Sequence, residues 1–259
     1  MAKKTISPGG NVTGVVELPG GGVPQGQRVL WTPHPGAYAE FVAAPVDNLL
    51  KTPKGADPRA IAMTDPASIA LHAVWKAPPT MGQRGAVVGC GPIGLFAIQW
   101  MKLMGCTEVV AVDLASAKLD EAREAGATHA FLSHEAPADL LYDLIVEAAG
   151  VPVSINQAAR MAAPGGHVVF IGIPVGDVPL ENKTFQHFLR QEVSLHGAWN
   201  SFSAPFPGKE WTVSLAALAD GTLKWEFMIT HDLQLGELPR MFETIRGRNE
   251  HFSKIMFRP

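Results

Sequence analysis

The sequence is poor in cysteine, in net charge and in long apolar runs, and each shortage closes off a class of protein. Only two cysteines, Cys90 and Cys106, occur in 259 residues. Two cannot build a disulfide framework or the four-cysteine shell of a structural zinc. Lysine plus arginine number 21 against 24 aspartates plus glutamates, a net charge of −3. With no basic cluster either, a nucleic-acid partner is not expected. The longest uncharged run of interest, residues 85–101, is interrupted by Gly89, Gly91, Pro92 and Gly94. It falls short of a bilayer span, so no membrane partner is expected. Met1-Ala2-Lys3-Lys4 is not followed by an apolar stretch, so no secretory signal is expected and a cytoplasmic location is. What is present, 47% hydrophobic and 17% charged residues, suits a globular fold.

The chain changes character along its length. Through about residue 55 it is rich in Gly, Pro and Val, with short β-type runs at 12–18, 28–31 and 38–43 between Gly/Pro turns; this predicts a small all-β lobe. Residues 58–77 read as a helix broken near Asp65 by Pro66. Strands at 86–89, 108–113, 143–148, 167–173 and 193–199 then alternate with helices at 93–104, 116–125 and 154–161, with Ser116 a candidate N-cap and Gly126 the stop. This alternation predicts an α/β fold with a doubly wound parallel Rossmann sheet. The tail carries a helical stripe through Leu238, Met241, Phe242 and Ile245 closed by Gly247, then a strand at 254–257 that returns to the first lobe.

Gly89-Cys90-Gly91-Pro92-Ile93-Gly94 is a G-x-G-x-x-G pattern with a strand before it, a helix after it and Asp113 about twenty positions on, the dinucleotide-binding context. Gly89 permits the tight turn, Gly91 lets the backbone approach a pyrophosphate, and Gly94 lets helix and strand close up. The helix N-terminus presents free N–H groups to the phosphates. Asp113 can accept hydrogen bonds from both ribose hydroxyls and would repel a 2′-phosphate, so NAD is expected rather than NADP. Lys118 is expected beside the same site. Glu147-Ala148-Ala149-Gly150 and Ile171-Gly172-Ile173-Pro174 each end a strand. There Ala148, Ala149, Gly172 and Ile173 leave room for a nicotinamide ring.

At this point the chain resembles the zinc-type medium-chain dehydrogenase/reductase family, in its sorbitol and galactitol-1-phosphate dehydrogenase branch. Gly36-Ala37-Tyr38-Ala39-Glu40-Phe41-Val42 resembles the family's GxxAEYV strand. Asp65-Pro66-Ala67-Ser68-Ile69-Ala70-Leu71-His72-Ala73-Val74 resembles its EPLxVALHAV helix, and Trp199 to Trp211 a segment of the polyol branch. The resemblance implies a reduced GroES-like lobe over residues 1–75, completed by 231–259, and a Rossmann NAD domain over 76–230. It also implies a small-molecule substrate and a homodimer formed through sheet edges, with residues 193–208 as a contact or active-site wall.

The departures concern the metal. The longer lobe that carries the family's catalytic cysteine has no counterpart, and its zinc-ligand histidine falls at Asn11, followed by Val12. The four-cysteine loop belongs between Val29 and Gly36, where only residues 30–35 stand. Asp65 keeps the acidic position near the metal. A catalytic zinc needs about three protein ligands, so no bound metal is expected, and a side chain must take the proton instead. The candidates are Asp65, His34 and His72, with Thr64 and Asn200 also nearby in the sequence pattern. The expected function is an NAD(H)-dependent, zinc-independent oxidoreductase acting on a hydroxyl or carbonyl of a sugar, polyol or related metabolite. The alternatives are a zinc-free quinone or enone reductase and a non-catalytic or partner-dependent nucleotide-binding protein.

Overall fold

The computed structural model describes residues 12–15, 17, 21–31, 38–137, 139–200, 206–247 and 250–259. In chain order the strands and helices are β1 (Val12–Val15), β2 (Arg28–Trp31), β3 (Leu49–Lys51), α1 (Pro58–Ala62), α2 (Thr64–Lys76), β4 (Arg84–Val88), α3 (Pro92–Leu103), β5 (Glu108–Asp113), α4 (Ser116–Glu124), β6 (His129–Leu132), β7 (Tyr142–Glu147), α5 (Pro152–Arg160), β8 (Ala162–Phe170), α6 (Asn182–Gln191), β9 (Ser194–Gly197), α7 (Lys209–Ala219), β10 (Ile229–Gln234), α8 (Leu238–Gly247) and β11 (Lys254–Arg258). They fall into two compact units, Met1–Asp65 with Ser203–Pro259, and Pro66–Phe202.

The second unit holds a six-stranded sheet in the order β6-β5-β4-β7-β8-β9, parallel throughout. That is the doubly wound order, with the reversal between β4 and β7. The sequence explains why this sheet is covered on both faces. β4, β5 and β7 are continuous apolar runs rather than alternating ones, the pattern of strands buried on both sides. Val88, Val112, Ile145 and Val168 share one core cluster. Helix α3 lies close on β4, because Gly85 offers no side chain: a Cβ there would stand 2.7 Å from the Met101 sulfur. The Trp100 indole N–H, buried with it, donates to the Ala67 carbonyl at 2.9 Å.

The first unit contains an antiparallel three-stranded sheet, β1-β2-β3, and a parallel pair, β10-β11. Its core gathers Leu30, Leu50 and Ile61 with Trp211 and Leu215 from α7. By compactness this unit takes in the chain from Ser203 to Pro259. The terminal strand pairs with β10 and not with the six-stranded sheet.

Some local expectations change. Residues 38–43 form no strand; they pair with no neighbouring strand among the described residues. The helix break falls at Met63 rather than Asp65. The Pro66 ring clashes with a helical carbonyl four residues back, at Ala62, so α1 ends there. Pro66 itself sits in the first turn of α2, where its missing N–H has no intrahelical partner to lose. Ala115, not Ser116, is the N-cap of α4, while Gly126 does stop that helix with φ of 100°. Strands β3, β6 and β10 and helices α6 and α7 have no counterpart among the elements expected from the sequence.

Candidate cofactor site

The loop after β4 is built by three glycines with three different reasons. Gly89 takes φ of 99°, the left-handed region that side chains resist. A Cβ there would also press to 2.8 Å from the Ala149 amide nitrogen. The Gly89 N–H donates to the Val112 carbonyl at 2.8 Å, pinning the turn to β5. A Cβ on Gly94 would run into the Gly89 carbonyl oxygen, so the helix can lie on its own turn only with a hydrogen at this position. Gly91 is the opposite case. It is the N-cap of α3 with extended backbone, and no heavy atom stands within 4 Å of where its Cβ would be. Its missing side chain leaves open space at a helix N-terminus. The first N–H groups there have no intrahelical partner, and the helix dipole favours an anion. Pro92 occupies the first helical position, where its fixed φ suits the helix, and Ile93 follows it.

Asp113 ends β5 beside this loop. One carboxylate oxygen accepts the Cys90 N–H at 2.7 Å and the other the Ala115 N–H at 3.0 Å. The carboxylate therefore grips the glycine loop and the start of α4 together. Two oxygens offer about four acceptor sites, so capacity remains for hydroxyl donors. The Cys90 side chain is buried and burial drives its thiol pKa far upward, which removes it as a nucleophile. Lys118, in the first turn of α4, pairs with Glu121 at 3.2 Å.

The ends of β7 and β8 meet the same loop. The Ala148 N–H donates to the Val88 carbonyl at 2.8 Å. Glu147, fully buried, holds the pair of loops. Its Oε1 accepts from the Ala149 N–H at 3.0 Å and the Gly150 N–H at 2.8 Å, and lies 2.6 Å from the Ser154 hydroxyl. Its backbone carbonyl accepts from Ile171 at 2.9 Å and Gly172 at 3.1 Å. Gly150 has φ of 69°, and a Cβ on Gly172 would strike the Gly150 nitrogen. The two loops nest because both residues are glycine. The structure thus brings Gly89, Gly91, Gly94, Asp113, Ala148, Ala149 and Gly172 to the carboxyl ends of β4, β5, β7 and β8, around the β4/β7 reversal where open α/β sheets take their ligands. Ile173, next in line, is exposed.

Residues 92–215 match the family described as zinc-binding dehydrogenase. Galactitol 1-phosphate 5-dehydrogenase of Escherichia coli K12 is 30% identical over 235 residues, covering 86% of this chain and 67% of that protein. The chain belongs to the zinc-binding dehydrogenase family. Among other members, sorbitol dehydrogenase of Bos taurus is 28% identical over 196 residues, 71% of this chain and 52% of that one. The crystal structure of galactitol-1-phosphate dehydrogenase from Escherichia coli superposes with a TM-score of 0.88 at 26% identity, covering 95% of this chain and 82% of that one. The chain spans about two thirds of the length of the first of these relatives.

The metal in the family's name does not fit the residues described. No group of three or more His, Cys, Asp or Glu side chains is placed to hold an ion among them. Asp65, half-buried in the first turn of α2, is a source of negative charge for Lys254. Burial lowers the pKa of that lysine, and the Asp65 charge acts in the opposite direction. His72 lies on the same helix, seven residues on, and is half-buried. His34 and Asn11 lie outside the described residues. Asn200 has a positive φ of 48°, and the Thr64 hydroxyl is buried, donating to the Ile61 carbonyl at 2.7 Å. A cavity of about 1410 Å³ lies in the first unit. Of the charges that line it, Arg59 pairs with Asp57 at 2.8 Å and Arg258 with Asp232 at 2.8 Å.

Two contributions to the candidate cofactor site are not legible from the sequence alone. One is the Cys90 N–H, whose bond to Asp113 fixes the loop. The other is the Glu147 side chain, read only as the end of a strand. An acid directly before Ala-Ala-Gly at a strand end was the available signal, and Ser154 seven residues on was its partner.

Proposed function

We propose that this chain is an NAD(H)-dependent oxidoreductase that works without zinc on a hydroxyl or carbonyl of a sugar, polyol or related metabolite. The observation that carries the reading is the Gly91 opening at the head of α3 with Asp113 bonded to the loop beside it. Gly89, Gly91, Pro92, Ile93 and Gly94 would hold the pyrophosphate on backbone N–H groups and the α3 dipole. Asp113 would take the adenosine ribose hydroxyls, with Lys118 at the rim. Ala148, Ala149, Gly172 and Ile173 would border the nicotinamide ring, which supplies the hydride chemistry when bound. Asp65 is the proposed base, with His34 and His72 the other candidates. Two copies would pair through the sheet edge at β9, where Leu195 and Trp199 are exposed; pairing covers an edge that is otherwise a liability. Both cysteines are free and buried, which suits the cytoplasm. No helix among the described residues is long and apolar enough to cross a membrane.

A turnover assay with NAD and a panel of polyols and polyol phosphates tests this reading. NAD reduction is expected with at least one of them, and treatment with EDTA is expected to leave the rate unchanged. Asp65→Ala should lower kcat at least about 100-fold, the usual contribution of a general base, with the NADH dissociation constant unchanged. Loss of turnover on EDTA treatment, or turnover with enones alone, contradicts it.

A further inference from the structure

Strands β8 and β9 carry two polar side chains that the nucleotide site does not use. In the parallel register Val169 lies opposite His196. His167 stands two residues before Val169, so its side chain falls on the same face of the sheet. The two imidazoles meet there. His167 Nδ1 and His196 Nε2 are 3.0 Å apart, and the ring centroids are 5.2 Å apart. Both residues are half-buried, and among the described residues β9 is the edge strand of its sheet.

We propose that His167 and His196 form a two-histidine chelating site for a divalent transition ion of the Zn²⁺ and Ni²⁺ class. An imidazole nitrogen binds zinc at about 2.0–2.1 Å, and two such bonds at a tetrahedral angle place the nitrogens about 3.3–3.4 Å apart. The observed pair needs to open by only a few tenths of an ångström to admit the ion. At present one ring donates its N–H to the other. For both lone pairs to face a metal, the donor ring moves that proton to its far nitrogen. Each ring then carries one hydrogen on its outer side, and no proton is lost from a neutral pair.

The surroundings favour the neutral, ligating form. Burial holds His196 below the usual histidine range, and the charges of His167 and Lys76 act in the same direction. Lys76, at the end of α2, is exposed, so its ammonium stays solvated and can swing away on its long stem. The two ligands sit on adjacent strands of one sheet, whose backbone bonds fix their spacing before any ion arrives, the preorganisation that a metal site requires. Water fills the remaining coordination positions. Two imidazoles suit zinc, nickel and copper, while magnesium prefers oxygen ligands and its own water shell. Bound metal would clip β9 to β8 and stabilise the sheet edge by mass action.

The test is calorimetric titration of chelator-treated protein with Ni²⁺ and Zn²⁺, Mg²⁺ serving as the control, together with imidazole ¹⁵N shifts recorded during the Zn²⁺ titration. One ion per chain is expected, with His167 Nδ1 and His196 Nε2 the nitrogens that move and no Mg²⁺ uptake. His167→Gln and His196→Gln should each weaken Ni²⁺ binding at least about tenfold. NADH binding and the melting temperature should be unchanged. Equal Ni²⁺ affinity in both variants overturns the proposal, as does a Zn²⁺ titration that leaves these two nitrogens unmoved. The shifts read the wild-type chain, so they decide the matter even where a variant folds poorly.

Discussion

Replacing Gly91 by Val is expected to weaken NADH binding at least about 100-fold, close to 3 kcal/mol, while leaving the melting temperature of the chain unchanged. The two halves of this expectation rest on one observation. Nothing lies within 4 Å of a Cβ at Gly91, and its φ of −74° and ψ of 178° are ordinary extended backbone. The protein therefore tolerates valine there. On the proposed reading, the space that the side chain fills is the space through which a pyrophosphate approaches the N–H groups of α3. Gly94→Val is the contrasting variant. Its side chain would collide with the Gly89 carbonyl, so stability and binding should fall together. Nucleotide fluorescence titration and thermal melting on both variants separate the effects. NADH affinity in Gly91→Val within about threefold of wild type would show that the pyrophosphate does not lie over this residue.

The second large effect is expected at Glu147. Truncation to Ala removes the acceptor of two N–H groups, Ala149 and Gly150, and the oxygen beside the Ser154 hydroxyl. All of this happens at a fully buried position. Donors stranded in a dry site cost about 1–3 kcal/mol each, more where the lost bond was charge-assisted. A total of about 3–5 kcal/mol, roughly 10 °C in melting temperature for a chain of this size, is the expected loss. Glu147→Gln keeps one acceptor oxygen. Its new NH₂ group takes the place of Oε2, which has no hydrogen-bond partner among the described residues and lies 2.7 Å from a notional Cβ on Gly172. The smaller volume of the wild-type oxygen is what the nested loops accept, so Gln should recover part of the stability but not all of it. A melting temperature for Glu147→Ala within 2 °C of wild type, against roughly 10 °C expected, would mean that the loops hold their places without the clamp.

Much of the nucleotide unit was legible because its signals are local. β4, α3 and β5 are apolar runs of the right length around fixed glycine spacing, and Asp113 follows from counting along the chain. The break in the first long helix was legible too, although the proline's clash lies with a carbonyl four residues back and moved the boundary to Met63. What stayed hidden depends on contacts far apart in sequence or on exposure. Strand β6 is four residues long and has no buried residue, and its apolar run, Ala130-Phe131-Leu132, is too short to mark a strand on its own. In α6, Phe185 and Leu189 are exposed, so its apolar spacing does not mark a core face. Residues 38–43 read as a short β-type run yet have no partner strand among the described residues, and composition cannot supply one. The Glu147 clamp and the His167–His196 contact each join separate elements, and only the sheet register brings them together. The loop carrying His34 lies outside the described residues.

Asp113 is proposed to make this an NAD site. NADH and NADPH titrated side by side against the wild-type chain and Asp113→Asn test it most directly. The asparagine keeps an oxygen able to accept the Cys90 N–H and removes the charge. Like charges forced together cost several kcal/mol, so wild type should bind NADH at least about 100-fold tighter than NADPH, and Asp113→Asn should bring the two affinities to within about tenfold. Equal or tighter NADPH binding by the wild-type chain, or a preference that survives Asp113→Asn undiminished, would contradict the account.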